Sequence, residues 1–173
     1  MRIVRFILLM IAVLMLAGGA YALWPEPALP EGVRADRIVV EKSARRLTLM
    51  HGGTSLKNYR VSLGGAPAGP KERQGDERTP EGSYRIDWRN AASKFHRALH
   101  VSYPDAKDRQ NARRLGASPG GHIMIHGIAN GYGWIGRFHR FYDWTNGCIA
   151  VTDAEIEEIW RAVPDGTPIE IVP

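Results

Sequence analysis

A single cysteine, Cys148, stands among the 173 residues of this chain. An internal disulfide needs two thiols, and a cysteine-rich zinc or iron–sulfur site needs several, so all of these are excluded. Internal repeats and low-complexity tracts are absent too, and the length leaves room for about one domain. Strong charge of one sign is also missing: the formal net charge is +5. The basic residues are scattered among acids, which reads as a solvated surface and argues against a nucleic-acid partner. With 44% apolar and 24% charged residues, the composition is that of an ordinary folded domain.

Only one long apolar run is present. Arg2 and Arg5 precede the run at 6–17, and Gly18-Gly19 and Ala20-Tyr21-Ala22 follow it. The last three have the small-x-small form of a signal-peptidase site. The stretch from Phe6 to Trp24 also approaches the ~20 residues that cross a bilayer, so an uncleaved anchor is an equal reading. Residues 1–23 are therefore expected to be a signal peptide or N-terminal membrane anchor. Residues 24–35, rich in proline, are expected to form a linker, and 36–173 the folded, exported domain.

Within that domain, 37–42, 46–51 and 56–63 read as a meander of short antiparallel strands, with Gly52-Gly53 as a turn. A long Gly- and Pro-rich loop follows. It ends in Gly75-Asp-Glu-Arg-Thr-Pro-Glu-Gly82 and leads into a strand at 83–88. Further strands are expected at 98–103 and 122–126, with a short polar helix at 105–115. The clearest helix starts after Thr152, where Thr152-Asp-Ala-Glu155 has capping-box spacing and Ile156, Ile159, Trp160 and Val163 share one face. Residues 168–172 close the domain as a strand. The pattern predicts a mainly β, α+β domain with one packed helix late in the chain.

Two residues in this pattern carry chemistry. A thiol attacks a carbonyl well only as thiolate, so a catalytic cysteine needs a base within reach and donors for the oxyanion. Asn146-Gly147 before Cys148 is a turn dipeptide that can aim backbone N–H groups to one side. Of the six histidines, His126 ends an apolar strand just before Gly127, at the rim of a sheet. His122 and His126 lie ~13 Å apart along a strand, too far to share a metal. Asp76, Glu77 and Glu81 read as turn chemistry rather than a glycosidase pair.

Ile125-His126-Gly127, then Thr145-Asn146-Gly147-Cys148-Ile149, with Gly-Asp-x-Arg-Thr-Pro-Glu-Gly upstream, resembles the L,D-transpeptidase (YkuD-like) catalytic domain over roughly 36–172. It is most similar to the exported murein branch that carries Thr-Asn-Gly-Cys. The resemblance implies a β-sandwich-type fold with one packed helix after the catalytic cysteine. It implies Cys148 as nucleophile, His126 as base and then acid, the Gly127 carbonyl as orienter of the imidazole, and the N–H groups of Gly147 and Cys148 as oxyanion donors. No cofactor and no metal are implied. Asn146 replaces a common histidine and Ala150 a common arginine, which leaves a substrate carboxylate without that partner. Arg137 and Arg140 (or His139), together with Asn146, Trp144 and Tyr132, are the expected substrate-binding residues.

The implied reaction is thioester formation with the diaminopimelate of a tetrapeptide stem, then transfer to an amine acceptor in a cross-link or a lipoprotein. With water as acceptor, the same cysteine gives an L,D-carboxypeptidase or a murein-lipoprotein hydrolase. A non-catalytic cell-wall-binding module is the rival from another class, and it predicts a buried, inert Cys148. The implied setting is the bacterial periplasm or cell envelope, with inner-membrane attachment through the N-terminal segment. The implied partners are peptidoglycan stem peptides and a wall-anchored lipoprotein, acting on a monomer.

Overall fold

A computed structural model describes residues 2–24 and 26–173 of the chain. The N-terminal run is one helix, α1 (Arg2–Leu23), exposed along its apolar length and long enough to cross a membrane. The segment after it lies against the domain: Leu29 packs on the core, and Lys57 donates to the Pro27 carbonyl at 2.7 Å.

Eight strands build the domain: β1 (Arg37–Glu41), β2 (Arg46–His51), β3 (Thr54–Arg60), β4 (Gly82–Ser93), β5 (His96–Val101), β6 (Met124–His126), β7 (Ile149–Ala150) and β8 (Pro168–Val172). They form one mixed sheet in the order β3-β2-β1-β8-β4-β5-β6-β7. The predicted meander is present, because β2 pairs antiparallel with both β1 and β3. Gly52 and Gly53, both at positive φ, make its two-residue hairpin turn. The last strand, β8, inserts parallel to β1 and antiparallel to β4. Isolated bridges from Ser62 to Ala150 and from Gly64 to Thr145 bring the chain after β3 back against β7, so the sheet curls on itself.

Alternate residues fill the interior: Ile38 and Val40 from β1, Leu47 and Leu49 from β2, Ile169 and Ile171 from β8. Helix α3 (Asp153–Ala162) adds Ile156, Ile159 and the adjoining Val163. Its capping box is formed as predicted: Glu155 N–H donates to Thr152 Oγ1 and Thr152 N–H to Glu155 Oε2. The shorter α2 (Ala106–Arg114) carries its own box between Asp105 and Asp108.

Several strand boundaries differ from expectation: β3 spans Thr54–Arg60 where the sequence predicts 56–63, and β5 spans His96–Val101 where it predicts 98–103. Strand β4 continues past 88 to Ser93, because register shifts after Ile86 and Asn90 let it bend and keep pairing with β5. Strand β6 begins at Met124 rather than 122, since His122 adopts φ 56, outside strand geometry. The loop at 128–144 contains a 3₁₀ segment, Gly133–Phe141, kinked at Gly136.

Candidate active site

Strands β6 and β7 pair in parallel, with Ile125 opposite Ile149 and His126 opposite Ala150. Side chains alternate along a strand, so Ile125 and Ile149 enter the core and His126 and Cys148 share the other face. A strand spacing of ~4.8 Å and a rise of ~3.3 Å per residue put their Cα atoms about 8 Å apart, within reach of two facing side chains. Both line one cleft of about 340 Å³.

The end of β4 and its turn supply one wall, with Trp88, Asn90, Ser93 and Phe95. His122 and Met124 lie at the base of β6, and Trp144 and Asn146 close the other side. The His126 ring is only 4% exposed, packed 4.5 Å from Phe95 and edge-on to Trp144 at 5.8 Å. Its Nδ1–H donates to the Gly127 carbonyl at 2.6 Å. Since a carbonyl can only accept, the neutral ring carries its free lone pair on Nε2. Burial lowers the His126 pKa to about 4, against the raising effect of the Gly127 carbonyl.

Cys148 is half-buried and its thiol donates to the His122 carbonyl at 3.5 Å. Burial pushes the thiol pKa up, opposed by a backbone hydrogen bond from Met124 and by the Lys71 ammonium. The resting pair is thus a neutral thiol and a neutral imidazole. Such a pair reacts by handing the proton over as the sulfur attacks, and it needs no preformed ion pair.

The acidic loop upstream is the floor of the cysteine turn. Asp76 accepts from Lys71 Nζ at 2.6 Å and from the N–H groups of Glu72, Arg73 and Arg78. Burial alone would raise its pKa, but these four donors outweigh it and hold the carboxyl near 2. The loop so tied presses its backbone on the turn: at Gly147, φ +118, a Cβ would stand 2.5 Å from the Arg78 carbonyl oxygen. A Cβ on Gly64 would strike the Glu77 carbonyl. Thr79 Oγ1 meanwhile accepts from the Gly64 N–H.

The Gly147 N–H donates to Thr145 Oγ1 at 3.1 Å, and that hydroxyl donates to the Cys148 carbonyl at 2.8 Å. In the resting structure, then, this N–H closes its own turn instead of facing the cleft. Asp153, at the start of α3, accepts from the Ile128 N–H at 2.8 Å and so braces the turn after Gly127.

The remaining predicted residues separate into two groups. Trp144 and Asn146 line the cleft, whereas Tyr132, Arg137 and Arg140 are not among its lining residues. The two arginines border another cavity, between the end of α1 and α3. There Arg137 pairs with Glu26 at 2.8 Å, and Arg140 with Glu155 at 2.5 Å and Glu26 at 3.7 Å. Intrachain acids meet their charge, which sequence alone did not disclose. His139 is buried, with its carbonyl accepting from Ser62 Oγ; burial, Arg140 and His126 lower its pKa to about 3.

Sequence reasoning missed Trp88, Asn90, Ser93 and Phe95, because the strand was ended too early, and it missed Lys71. The loop that carries Lys71 offered a signal in Asp76, a turn carboxylate in need of donors. Among the described residues no group of three or more His, Cys, Asp or Glu side chains is arranged to hold a metal.

Residues 35–171 match the L,D-transpeptidase catalytic domain family, YkuD. The putative L,D-transpeptidase YafK of Escherichia coli K12 is 31% identical over 111 residues, covering 62% of this chain and 37% of YafK. The chain thus spans little more than a third of that relative's length. The crystal structure of the helical cell shape determining protein Pgp2 from Campylobacter jejuni matches with a TM-score of 0.60 at 22% identity, over 81% of this chain and 48% of that one. Bd1075 of Bdellovibrio bacteriovorus matches at 0.56 and 22% identity, over 83% and 50%. These two likenesses show a common fold. With a profile match over most of its length, the chain belongs to the L,D-transpeptidase (YkuD) catalytic-domain family.

Proposed function

We propose that this protein is a cysteine-dependent acyltransferase of the cell envelope that acts on peptidoglycan stem peptides, with Cys148 as nucleophile and His126 as proton carrier. The observation that carries this reading is the pairing of β6 with β7, which sets thiol and imidazole on one face of an open cleft, with the imidazole fixed through Gly127. A wall-binding module retaining the fold has no use for a half-buried thiol that shares an open cleft with an imidazole held through Gly127.

In the first step the Cys148 sulfur bonds to the carbonyl carbon at the L-centre of diaminopimelate, and its proton passes to His126 Nε2. Collapse of the tetrahedral adduct breaks the amide C–N bond. The departing D-alanine takes the proton from Nε2, leaving a neutral imidazole and a thioester. An amine of another stem or of a lipoprotein then attacks the thioester and gives its proton to His126. The sulfur leaves and regains that proton. Water in the same place releases a trimmed stem, and where the amine that left in the first step was a lipoprotein lysine in place of D-alanine, the lipoprotein is freed at that step. The acceptor is decided by what the cleft admits. Trp144 and Asn146, with Trp88 and Asn90 opposite, are the walls that would select it. The apolar helix α1 and the envelope substrate together support an exported, periplasmic setting.

Intact-mass measurement of the purified full chain with disaccharide tetrapeptide tests the reading. An adduct equal to the stem minus D-alanine is expected on wild type and absent from Cys148→Ser and His126→Ala. Absence of the adduct and of any processed muropeptide from wild type overturns the proposal.

A further inference from the structure

We propose that the 3₁₀ segment Gly133–Phe141 and the adjoining Tyr142 form a bilayer-docking surface, which seats the domain in the headgroup region beside a retained α1. Its occupant is the lipid of the membrane that α1 crosses.

The end of α1 is built against this segment. Tyr21 stacks on Phe141 with rings 3° from parallel and lies 5.6 Å from Phe138. Gly136, at φ +49, allows its backbone against the Ala22 carbonyl, where any Cβ would collide. Arg137 clasps Glu26 just beyond the helix. Ala22 is buried in this contact, so the bond after it, where the signal-peptidase pattern falls, is helical and covered.

The contact also sets a depth. A Cβ on Gly18 would lie 3.5 Å from Phe138 Cζ, and Gly18 precedes the helix end at Leu23 by five positions. At 1.5 Å per residue, Phe138 sits about 8 Å inside the end of the helix. Helix α1 is about 33 Å long by the same rise, close to the ~30 Å hydrocarbon core. A side chain 8 Å within such a span is at the depth where interfacial elements bury their apolar face, ~5–10 Å.

The outward side chains suit that depth. Trp134, Phe141 and Tyr142 of this short segment are 69%, 70% and 68% exposed, and Phe141 packs on both Phe138 and Tyr21 at the end of α1. Tryptophan and tyrosine favour the membrane–water boundary, whose amphipathic character they share. The arginines of the segment turn inward to Glu26 and Glu155. The surface is therefore apolar, and its contact should be insensitive to salt. This inference does not depend on the thiol chemistry. It depends on α1 staying attached.

Vesicle capture alone is uninformative, since α1 suffices for it; depth is the readout. In the full chain carrying Cys148→Ser, a nitroxide is placed through Phe141→Cys and, as reference, through Leu115→Cys. Both are reconstituted in phosphatidylcholine vesicles and probed by power saturation with oxygen and a water-soluble nickel chelate. The oxygen-to-nickel accessibility ratio at 141 is expected to exceed that at 115 several-fold, unchanged by 0.5 M salt. Equal ratios overturn the proposal, as does shielding of 141 only on addition of isolated sacculi, which would assign the face to the wall. Removal of residues 1–22 from the membrane-extracted protein, seen by intact mass, overturns it independently. Should Phe141→Cys unfold the chain, bromolipid quenching that Trp134→Phe reduces gives the same decision.

Discussion

The cavity beside α1 and the cysteine cleft share no lining residue, and they differ in what their polar groups do. Around the cavity beside α1, Arg137, Arg140 and Lys57 are each met by a carboxylate of Glu26, Glu155 or Glu158. The cysteine cleft is lined by no lysine, arginine or carboxylate, and its imidazole and thiol donate only to backbone carbonyls. Neutralised charge holds elements together around the first cavity, while on the proposed reading the uncharged cleft is the one left for a substrate. Arginines near Cys148 in sequence are thus not marked as substrate ligands by proximity; Arg137 and Arg140 already meet carboxylates of their own chain.

The contrast predicts opposite phenotypes, and the largest effect belongs to the cleft. His126→Gln should lower the rate of thioester formation by ~10²–10⁴, the range of general acid–base catalysis, with little change in thermal midpoint. Arg140→Gln should do the reverse. It strands Glu155, whose side chain is 7% exposed, and breaking a buried pair from one side destabilises by ~3–5 kcal/mol. Acylation per folded molecule should stay within about threefold of wild type. Urea melts beside single-turnover acylation check both. A stable, inactive Arg140→Gln would erase the distinction between the two cavities.

That distinction was only partly legible in the sequence. Strand alternation gave β1, β2 and β8, and Thr152 with Glu155 gave the start of α3, because these rest on interactions a few residues apart. Cys148 and His126, which the structure brings to one cleft, could be singled out as well, since a strand end followed by glycine and a turn before a capped helix leave local marks. Lys71 and the β4 wall could not. Lys71 acts through a carboxylate in a tight loop whose packing on Gly147 depends on the curled sheet. The β4 wall depends on bulges that keep a polar run paired. Nor did any local signal show that Glu26 and Glu155 would reach the loop arginines from outside it.

Acid separates the regions next. His126 and His139 are both held neutral by burial, with pKa values of about 4 and about 3 against an ordinary 6.5. The unfolded chain takes up these protons first, so stability is full above pH 6.5 and falls as pH drops toward 4. The slope is about 1.4 kcal/mol per pH unit for each histidine. Asp76 has the depressed carboxyl, and its contribution is lost lower, as pH falls from 3.8 toward 2. His139→Gln, outside the cleft lining but edge-on to Trp144 at 6.5 Å, should lessen the fall of the thermal midpoint between pH 6.5 and 4, leaving the share of His126. It should move the acid limb of kcat/KM little, because His139 is still neutral where His126 protonates. That limb should lie near pH 4, where His126 protonates. An acid limb near 6.5 would mean a solvated, unperturbed imidazole and would contradict the packing of Phe95 and Trp144 around it.

The smallest effect tests whether the cleft is as free of cationic influence as its lining suggests. Lys71 is buried beneath the cysteine turn with Asp76, and its ammonium favours the thiolate of Cys148 against the burial that disfavours it. Lys71→Met keeps the stem of the side chain and removes the charge, so the thiol pKa should rise further. Asp76 would retain its three backbone donors, which keeps the loop in place. Iodoacetamide alkylation at pH 8 follows the thiolate fraction, and it should slow by several-fold at most, because the interaction is one screened pair. The same variant with its pH–rate curve shifted to higher pH, but with an unchanged plateau, would place Lys71 as a positioning charge for the nucleophile. A lowered plateau with no shift would instead mean that Lys71 matters only through the shape of the loop under Gly147.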